Sequence, residues 1–340
     1  MNNIFYTGQE VDFISFIESK KYESICVLVD AKTNGFCLPI LKNVFPSFEN
    51  VSSIVMPDGE VNKSIEIIQL IWSEMLANSI SRNSLIINLG GGVLTDMGGF
   101  AASTFKRGVD FLNIPTTLLA MVDASAGGKT GINFGGIKNC IGSFQTSIAT
   151  YINPIFLNTL SSRHLLNGTV EMIKHALLKS DVAWDAVKNY SLHEFMSIDK
   201  IKQSIAIKQF IVEQDFNDNG IRQSLNVGHT IGHAIESYSY QTNTPLLHGE
   251  AIILGLIHEQ LIAESILNTD SKIRKELIDV KERLYANLNF TYTLNNILPY
   301  LLQDKKNSST IKMSLLASIA NCKIQTVVSI DELKKSFINL

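Results

Sequence analysis

The sequence predicts an α/β N-terminal domain on a mostly parallel, Rossmann-like sheet, followed by an all-α C-terminal domain. Three observations carry that expectation. Over the first half, short apolar runs ending in glycine, proline or a polar residue alternate with helix-spaced segments. Beyond about residue 155, apolar residues recur at three- and four-residue spacing with few alternating runs between them. The length of 340 residues, 45% of them hydrophobic, suits two domains of ordinary size.

Taken in order, Ile25–Asp30 is an apolar run closed by a polar residue, as a buried parallel strand is. Ser53–Pro57 reads the same way and is stopped by its proline. From Asn62 to Ala77, Ile65, Ile68, Leu70, Ile71, Met75 and Leu76 fall mostly at helical spacing. Ser84–Leu89 is a strand that runs straight into Gly90-Gly91-Gly92, and Asp110–Ile114 is another that ends at Pro115. Leu165–Leu178, Ile201–Gln214, Asn226–Tyr238 and Glu250–Leu267 read as helices. The change of character falls between Gln145 and Pro154, so the expected domains are 1–150 and 151–340.

Charge and composition exclude several classes. Lys plus Arg total 29 against 32 Asp plus Glu, a net charge of −3, and a nucleic-acid surface would need a basic excess. The longest stretch free of charged residues, Asn139–Ser162, is broken by polar groups and a proline, so no membrane span is expected. Met1–Asp12 carries Glu10 and Asp12 in place of a basic start and an apolar run. The four cysteines form no CxxC pair. Free thiols in a reducing cytosol follow, and the expected location is cytoplasmic.

Chemistry concentrates in a few stretches. Leu89-Gly90-Gly91-Gly92-Val93-Leu94-Thr95-Asp96 follows a strand and opens a helix, where backbone N–H groups can approach a diphosphate. Its spacing is not GxGxxG, and such a turn also serves chain geometry alone. Asp58-Gly59-Glu60 closes an earlier strand and could offer a carboxylate to a ribose, or be only a turn. Gly128-Lys129-Thr130 invites a P-loop reading that fails, because Asp123 stands where the first glycine is needed. What remains is a glycine-loosened loop bearing Asp123, Lys129, Lys138 and Asn139, suited to an oxygen-rich anion.

In the helical half, Glu171, Lys174 and His175 share one helix face. His229 and His233 lie one turn apart, and His248 opens the next helix. Imidazoles and a carboxylate with one position left open are what a catalytic zinc uses. Spacing alone would pair His229 with His233 as ligands. No HExxH is present, so a zinc protease is not indicated.

Together these stretches resemble the 3-dehydroquinate synthase family of sugar phosphate cyclases, over roughly residues 25 to 320. The likeness rests on Gly90-Gly91-Gly92 with Asp96, Arg107-Gly108, Pro115-Thr116-Thr117-Leu118-Leu119-Ala120, and Asp123 with Gly127-Gly128-Lys129-Thr130-Gly131. It continues through Lys138-Asn139, Glu171 with Lys174-His175, Arg222 with Asn226, Gly228-His229-Thr230 with Gly232-His233-Ala234, His248-Gly249-Glu250-Ala251 and Asp304-Lys305-Lys306. Departures are Thr95, Ala124, Phe134-Gly135-Gly136 and the missing glycine after Lys306. None removes a ligand or charged group that the family pattern assigns.

The resemblance implies an active site in the cleft between an NAD-binding domain and a helical domain. It assigns a divalent metal (Zn2+, with Co2+ as the other candidate) to Glu171, His229 and His248. That set replaces the pair suggested by spacing and frees His233 for catalysis. NAD would meet Asp58, Glu60, Lys63, Gly92, Val93, Leu94, Thr95, Asp96, Thr116, Thr117, Lys129, Lys138, Phe156, Leu157, Asn158 and Thr159. Catalytic roles would fall to His233, Asp123, Lys129, Asn139 and Lys174. Lys208, Arg222, Asn226 and one of Lys305 and Lys306 would bind substrate, with Arg107 reaching a neighbouring subunit's site in a homodimer. The implied reaction turns 3-deoxy-D-arabino-heptulosonate 7-phosphate into 3-dehydroquinate and phosphate in the shikimate pathway. A sister cyclase and an iron-dependent alcohol or glycerol dehydrogenase are the competing enzyme readings, and a binding protein that kept the fold is the non-catalytic one.

Overall fold

Apolar runs with few polar interruptions make the inner strands of the first unit. In the computed structural model, which describes residues 3–135, 137–302 and 310–338, the strands of this unit are β1 (Asn3–Tyr6), β2 (Ser24–Asp30), β3 (Ser52–Met56), β4 (Ser84–Gly90), β5 (Asp110–Pro115), β6 (Lys129–Phe134), β7 (Ile137–Phe144) and β8 (Ala149–Ile152). Six of them form one sheet in the order β1-β8-β5-β4-β2-β3, and every pairing in it is parallel. β4 is buried along its whole length, as a central strand covered on both faces must be. The unit comprises Met1–Ser161 with Met196–Ile201. β8, which spans the boundary expected from sequence, lies inside its sheet.

The strand order reverses between β2 and β4, since β3 lies outside β2 while β5 lies on the far side of β4. Ligands of open α/β sheets bind at the carboxyl ends of strands at such a switch point. The glycine turn at the end of β4 stands there. One face of the sheet packs Ile68, Ile71, Met97, Phe100 and neighbours around Leu28, Ile54 and Ile86. An aromatic group of Phe13, Phe45 and Tyr151, with ring centroids 4.9 to 5.2 Å apart, fills another part of the core.

Gly98 and Gly99, further along the Gly92–Thr104 helix, have a packing role. A Cβ on Gly98 would lie 2.0 Å from the Asn88 Oδ1, and one on Gly99 2.5 Å from the Thr130 methyl. Their absence of side chains lets the helix settle on β4 and β6. β6 and β7 form an antiparallel hairpin, which the periodicity did not predict because its strands are interrupted by glycines and asparagines.

The second unit, Ser162–Phe195 with Lys202–Leu340, is mainly helical. Its long helices are Ser162–Lys179, most of Ile198–Gln214, His229–Ser239, His248–Leu267 and Lys272–Leu284. The all-α expectation needs one addition, an antiparallel ribbon of β9 (Thr310–Ser318) and β10 (Asn321–Ser329). The reason is local. Ile311, Met313 and Leu315 alternate into the core beside Leu294 and Leu301, the two-residue period of a strand. The helix predicted from Asn226 starts instead at His229, because Gly228 takes φ +79 and breaks it from the 3-10 turn Ile221–Asn226.

Among the described residues, no helix is long and apolar enough to cross a membrane. All four cysteines are free thiols.

Candidate metal and substrate site

Three helices of the second unit bring one carboxylate and three imidazoles together. Glu171 sits midway along Ser162–Lys179 and is 0% exposed. Its Oε1 lies 3.3 Å from His248 Nε2 and 3.6 Å from His229 Nε2. The ligand atoms of Glu171, His229 and His248 all fall within 4.8 Å of one another. Lys174, one turn on and buried, pairs with the other oxygen of Glu171. Burial works against the Glu171 charge, yet Lys174, His229 and His248 hold its carboxyl well below the usual range.

Both ring orientations are set from behind. His229 Nδ1 lies 3.0 Å from the Val227 carbonyl, so its N–H donates there and Nε2 is left as the lone pair facing Glu171. Burial and the Lys174 charge keep His229 well below its ordinary pKa, in the neutral form that a metal needs. His248 Nδ1 lies 3.7 Å from the buried carboxylate of Glu236. Burial disfavours a proton on His248, but Glu171 and Glu236 on its two sides push it up to about 9. A carboxylate behind a ligating histidine is the usual support of a metal site.

The start of His248–Leu267 is held in turn. Glu250 accepts the Leu247 N–H at 2.8 Å and takes two 2.7 Å hydrogen bonds from Arg163, while Asn167 accepts the Gly249 N–H at 2.6 Å. Arg163 and Asn167 belong to the helix that carries Glu171, so the helices bearing Glu171 and His248 are tied together beside these two residues.

His233 stands exposed, its ring centroid 5.1 Å from that of His229 and 5.7 Å from that of His248. Its donor group is Glu236 and His248, and among the described residues no set of three donors includes both His229 and His233. Two imidazole nitrogens and a carboxylate oxygen around one point fit a tetrahedral divalent cation with a fourth position open. His175, next to Lys174, is anchored to Ser204 at 2.7 Å.

Lys208 and Arg222 are buried, unusual for cations. Arg222 donates from Nη1 to the Phe216 carbonyl at 2.6 Å. Asn226 is exposed at the end of its 3-10 turn. Lys305 and Lys306 lie outside the described residues.

In the first unit, the glycine turn and the loop after β3 face a shared network. Buried Lys63 donates to Asp96 at 2.6 Å and to Asn139 Oδ1 at 2.5 Å. Asn133 extends the network, donating to Glu60 at 2.9 Å and accepting the Asn139 N–H at 2.9 Å. Asp58 pairs with Lys32 at 2.6 Å. Gly91 caps the Gly92–Thr104 helix with no side-chain hydrogen bond, and Val93 and Leu94 lie in its first turn, with Leu94 and Thr95 buried. Thr117 caps the short helix Leu118–Val122, and the Thr116 N–H meets the Gly90 carbonyl at 3.0 Å.

Asp123 follows that helix and is half-buried, Lys129 is exposed at the start of β6, and Lys138 is half-buried on β7. Phe156 and Leu157 are buried, Asn158 is exposed, and Thr159 donates to the Phe156 carbonyl at 2.8 Å. Arg107 is exposed at φ +66, between Lys106 at +47 and Gly108 at +116. Three successive left-handed residues are rare, and strain of this kind collects at functional positions.

Sequence reasoning missed Glu236, Asn133, Lys32 and Glu259. Glu236 had a signal, standing three residues after His233 and so on its helix face. The others act through contacts distant in sequence, which periodicity does not encode.

A family model described as 3-dehydroquinate synthase N-terminal matches residues 53–167, and one described as 3-dehydroquinate synthase C-terminal matches 168–307. The 3-dehydroquinate synthase of Parabacteroides distasonis is 38% identical over 332 residues, 94% of this chain and 92% of that protein. That of Pyrococcus furiosus is 46% identical over 221 residues, 64% of each. Among solved structures, a 2-epi-5-epi-valiolone synthase of Streptomyces hygroscopicus with NAD+ and Zn2+ bound superposes with a TM-score of 0.86 at 22% identity, covering 100% of this chain and 96% of that one. An iron-containing alcohol dehydrogenase has a TM-score of 0.67 at 13% identity, covering 99% and 96%. At such identities the two structures speak to the fold alone. The sequence matches go further, and the chain belongs to the 3-dehydroquinate synthase family.

Proposed function

We propose that this chain converts 3-deoxy-D-arabino-heptulosonate 7-phosphate to 3-dehydroquinate and phosphate. The observation that carries the reading is the assembled Glu171, His229 and His248 set beside buried Lys174, in a chain matched by both halves of the family model. Glu171, His229 and His248 would hold a divalent cation, zinc or cobalt, which supplies Lewis-acid polarisation of a substrate hydroxyl. The glycine turn with Asp96 and Thr117, at the sheet's switch point, would hold NAD, which supplies a hydride acceptor regenerated within the cycle.

The remaining work falls to the chain's own side chains. His233, exposed beside the two histidine ligands, takes the proton from the substrate hydroxyl as it is oxidised. Lys174, Lys208 and Arg222 neutralise a substrate that carries both a carboxylate and a phosphate, which a pocket for simple alcohols would not need. Asp123, Lys129 and Asn139 orient the ring hydroxyls, and Asn226 adds an amide. Arg107 contacts the substrate of a neighbouring subunit in a homodimer. The free cysteines fit a cytoplasmic enzyme.

The substrate is tested by parallel incubations with heptulosonate phosphate and with sedoheptulose 7-phosphate, each with NAD and zinc. Phosphate release and dehydroquinate are expected from the first alone. Release from the second alone would move the protein to a sister cyclase.

A further inference from the structure

We propose that Glu259, which stands apart from the ligand set, is a positioning residue for His229 and acts through a single peptide group. The inference rests on the metal reading above. Glu259 lies on His248–Leu267 and is buried. Its Oε2 accepts the Gly228 N–H at 2.6 Å, and its Oε1 accepts the Ile231 N–H at 2.9 Å. Those amides flank His229 at the start of its helix, where backbone donors have no partner within the helix. A residue at the cap position usually supplies the acceptor from its own side chain. Gly228 has none, so the acceptor comes from the neighbouring helix.

The close approach of the two helices makes this reach possible. A Cβ on Gly255 would fall 2.1 Å from the Gly228 carbonyl oxygen, and one on Gly228 would fall 2.6 Å from Leu256. Backbone therefore rests on backbone, and Glu259, one turn beyond Gly255, is brought under the Gly228 amide.

The peptide between Val227 and Gly228 joins the two ends. Its N–H donates to Glu259, and its carbonyl accepts the Nδ1–H of His229 at 3.0 Å. The carboxyl thus fixes the plane of the peptide that fixes the His229 ring. It also polarises that carbonyl toward a stronger acceptor, which strengthens Nε2 as a ligand. One helix then supplies His248 directly and aims His229 indirectly, which sets the distance between two ligands.

Cobalt titration with visible spectroscopy tests this. Wild type, Glu259→Gln and a control, Leu277→Ala, are titrated with Co2+, and their melting temperatures are measured without metal. Leu277 is a buried residue on Lys272–Leu284, so its loss costs stability away from the ligands. Glu259→Gln keeps the shape but loses one acceptor, and Co2+ should bind about tenfold to a hundredfold more weakly, with a shifted d–d spectrum. Leu277→Ala should melt lower yet bind Co2+ as wild type does. If Glu259→Gln does not fold, Glu259→Asp takes its place, with the same weakening expected. A wild-type affinity and spectrum in the Glu259 variant, or equal weakening in the control, overturns the proposal. Failure of wild type to bind Co2+ would instead overturn the metal reading.

Discussion

Replacing His248 with alanine should remove zinc and activity together, whereas His233→Ala should keep most of the metal and lose rate. His248 presents Nε2 to Glu171 at 3.3 Å and backs its other nitrogen onto Glu236. Deleting it leaves two of the three proposed ligands. Loss of a supporting group behind a ligand already costs tenfold to a hundredfold in metal affinity, so loss of the ligand itself should cost more than about a hundredfold. Among the described residues His233 shares no donor set with Glu171 or His229, and its removal should lower kcat by about 10² to 10⁴, the range for a general acid or base. Metal content by atomic absorption beside steady-state rates separates the two. If His233→Ala loses zinc while His248→Ala retains it, the ligand assignment is wrong.

The second large effect concerns the proposed dimer. Arg107→Ala and Lys129→Ala should each be inactive alone, and a mixture of the two should regain activity. Arg107 sits on an exposed turn of three positive-φ residues that follows the Gly92–Thr104 helix. If Arg107 reaches a neighbour's substrate while Lys129 serves its own subunit, half of randomly exchanged dimers are mixed. Each of those holds one site with both residues intact, so activity should reach up to about one quarter of wild type. No recovery after confirmed subunit exchange would contradict a shared site.

Much of the fold could be read in advance because burial leaves a periodic trace. β2, β4 and β5 are apolar runs with abrupt ends, and Ser162–Lys179 and His248–Leu267 keep helical spacing throughout. β9 and β10 are harder to read, because β9 buries the consecutive residues Met313–Leu316 and so blurs the two-residue period of a strand. The break at Gly228 leaves no trace in the sequence pattern, because Asn226–Tyr238 has helical apolar spacing and only the backbone angle reveals the turn.

At the site, spacing grouped His229 with His233, since an i, i+4 interval is all that one helix can say. The convergence of Glu171, His229 and His248 depends on three helices meeting, which the family likeness supplied and local pattern could not. The supports behind the ligands were legible only in part. Glu236 lies on the helix face of His233, but the contacts of Glu259 with Gly228 and Ile231, and of Asn133 with Glu60, span 28 residues or more.

The most direct measurement counts turnovers per NAD. Purified protein with zinc, heptulosonate phosphate in excess and NAD at a small fraction of the substrate should release phosphate and form dehydroquinate in equal amounts. Many products should appear for each NAD, and the absorbance of NADH should not rise. Product limited to one equivalent of NAD, or NADH accumulating with a simple alcohol as substrate, would contradict a cyclase that regenerates its own cofactor.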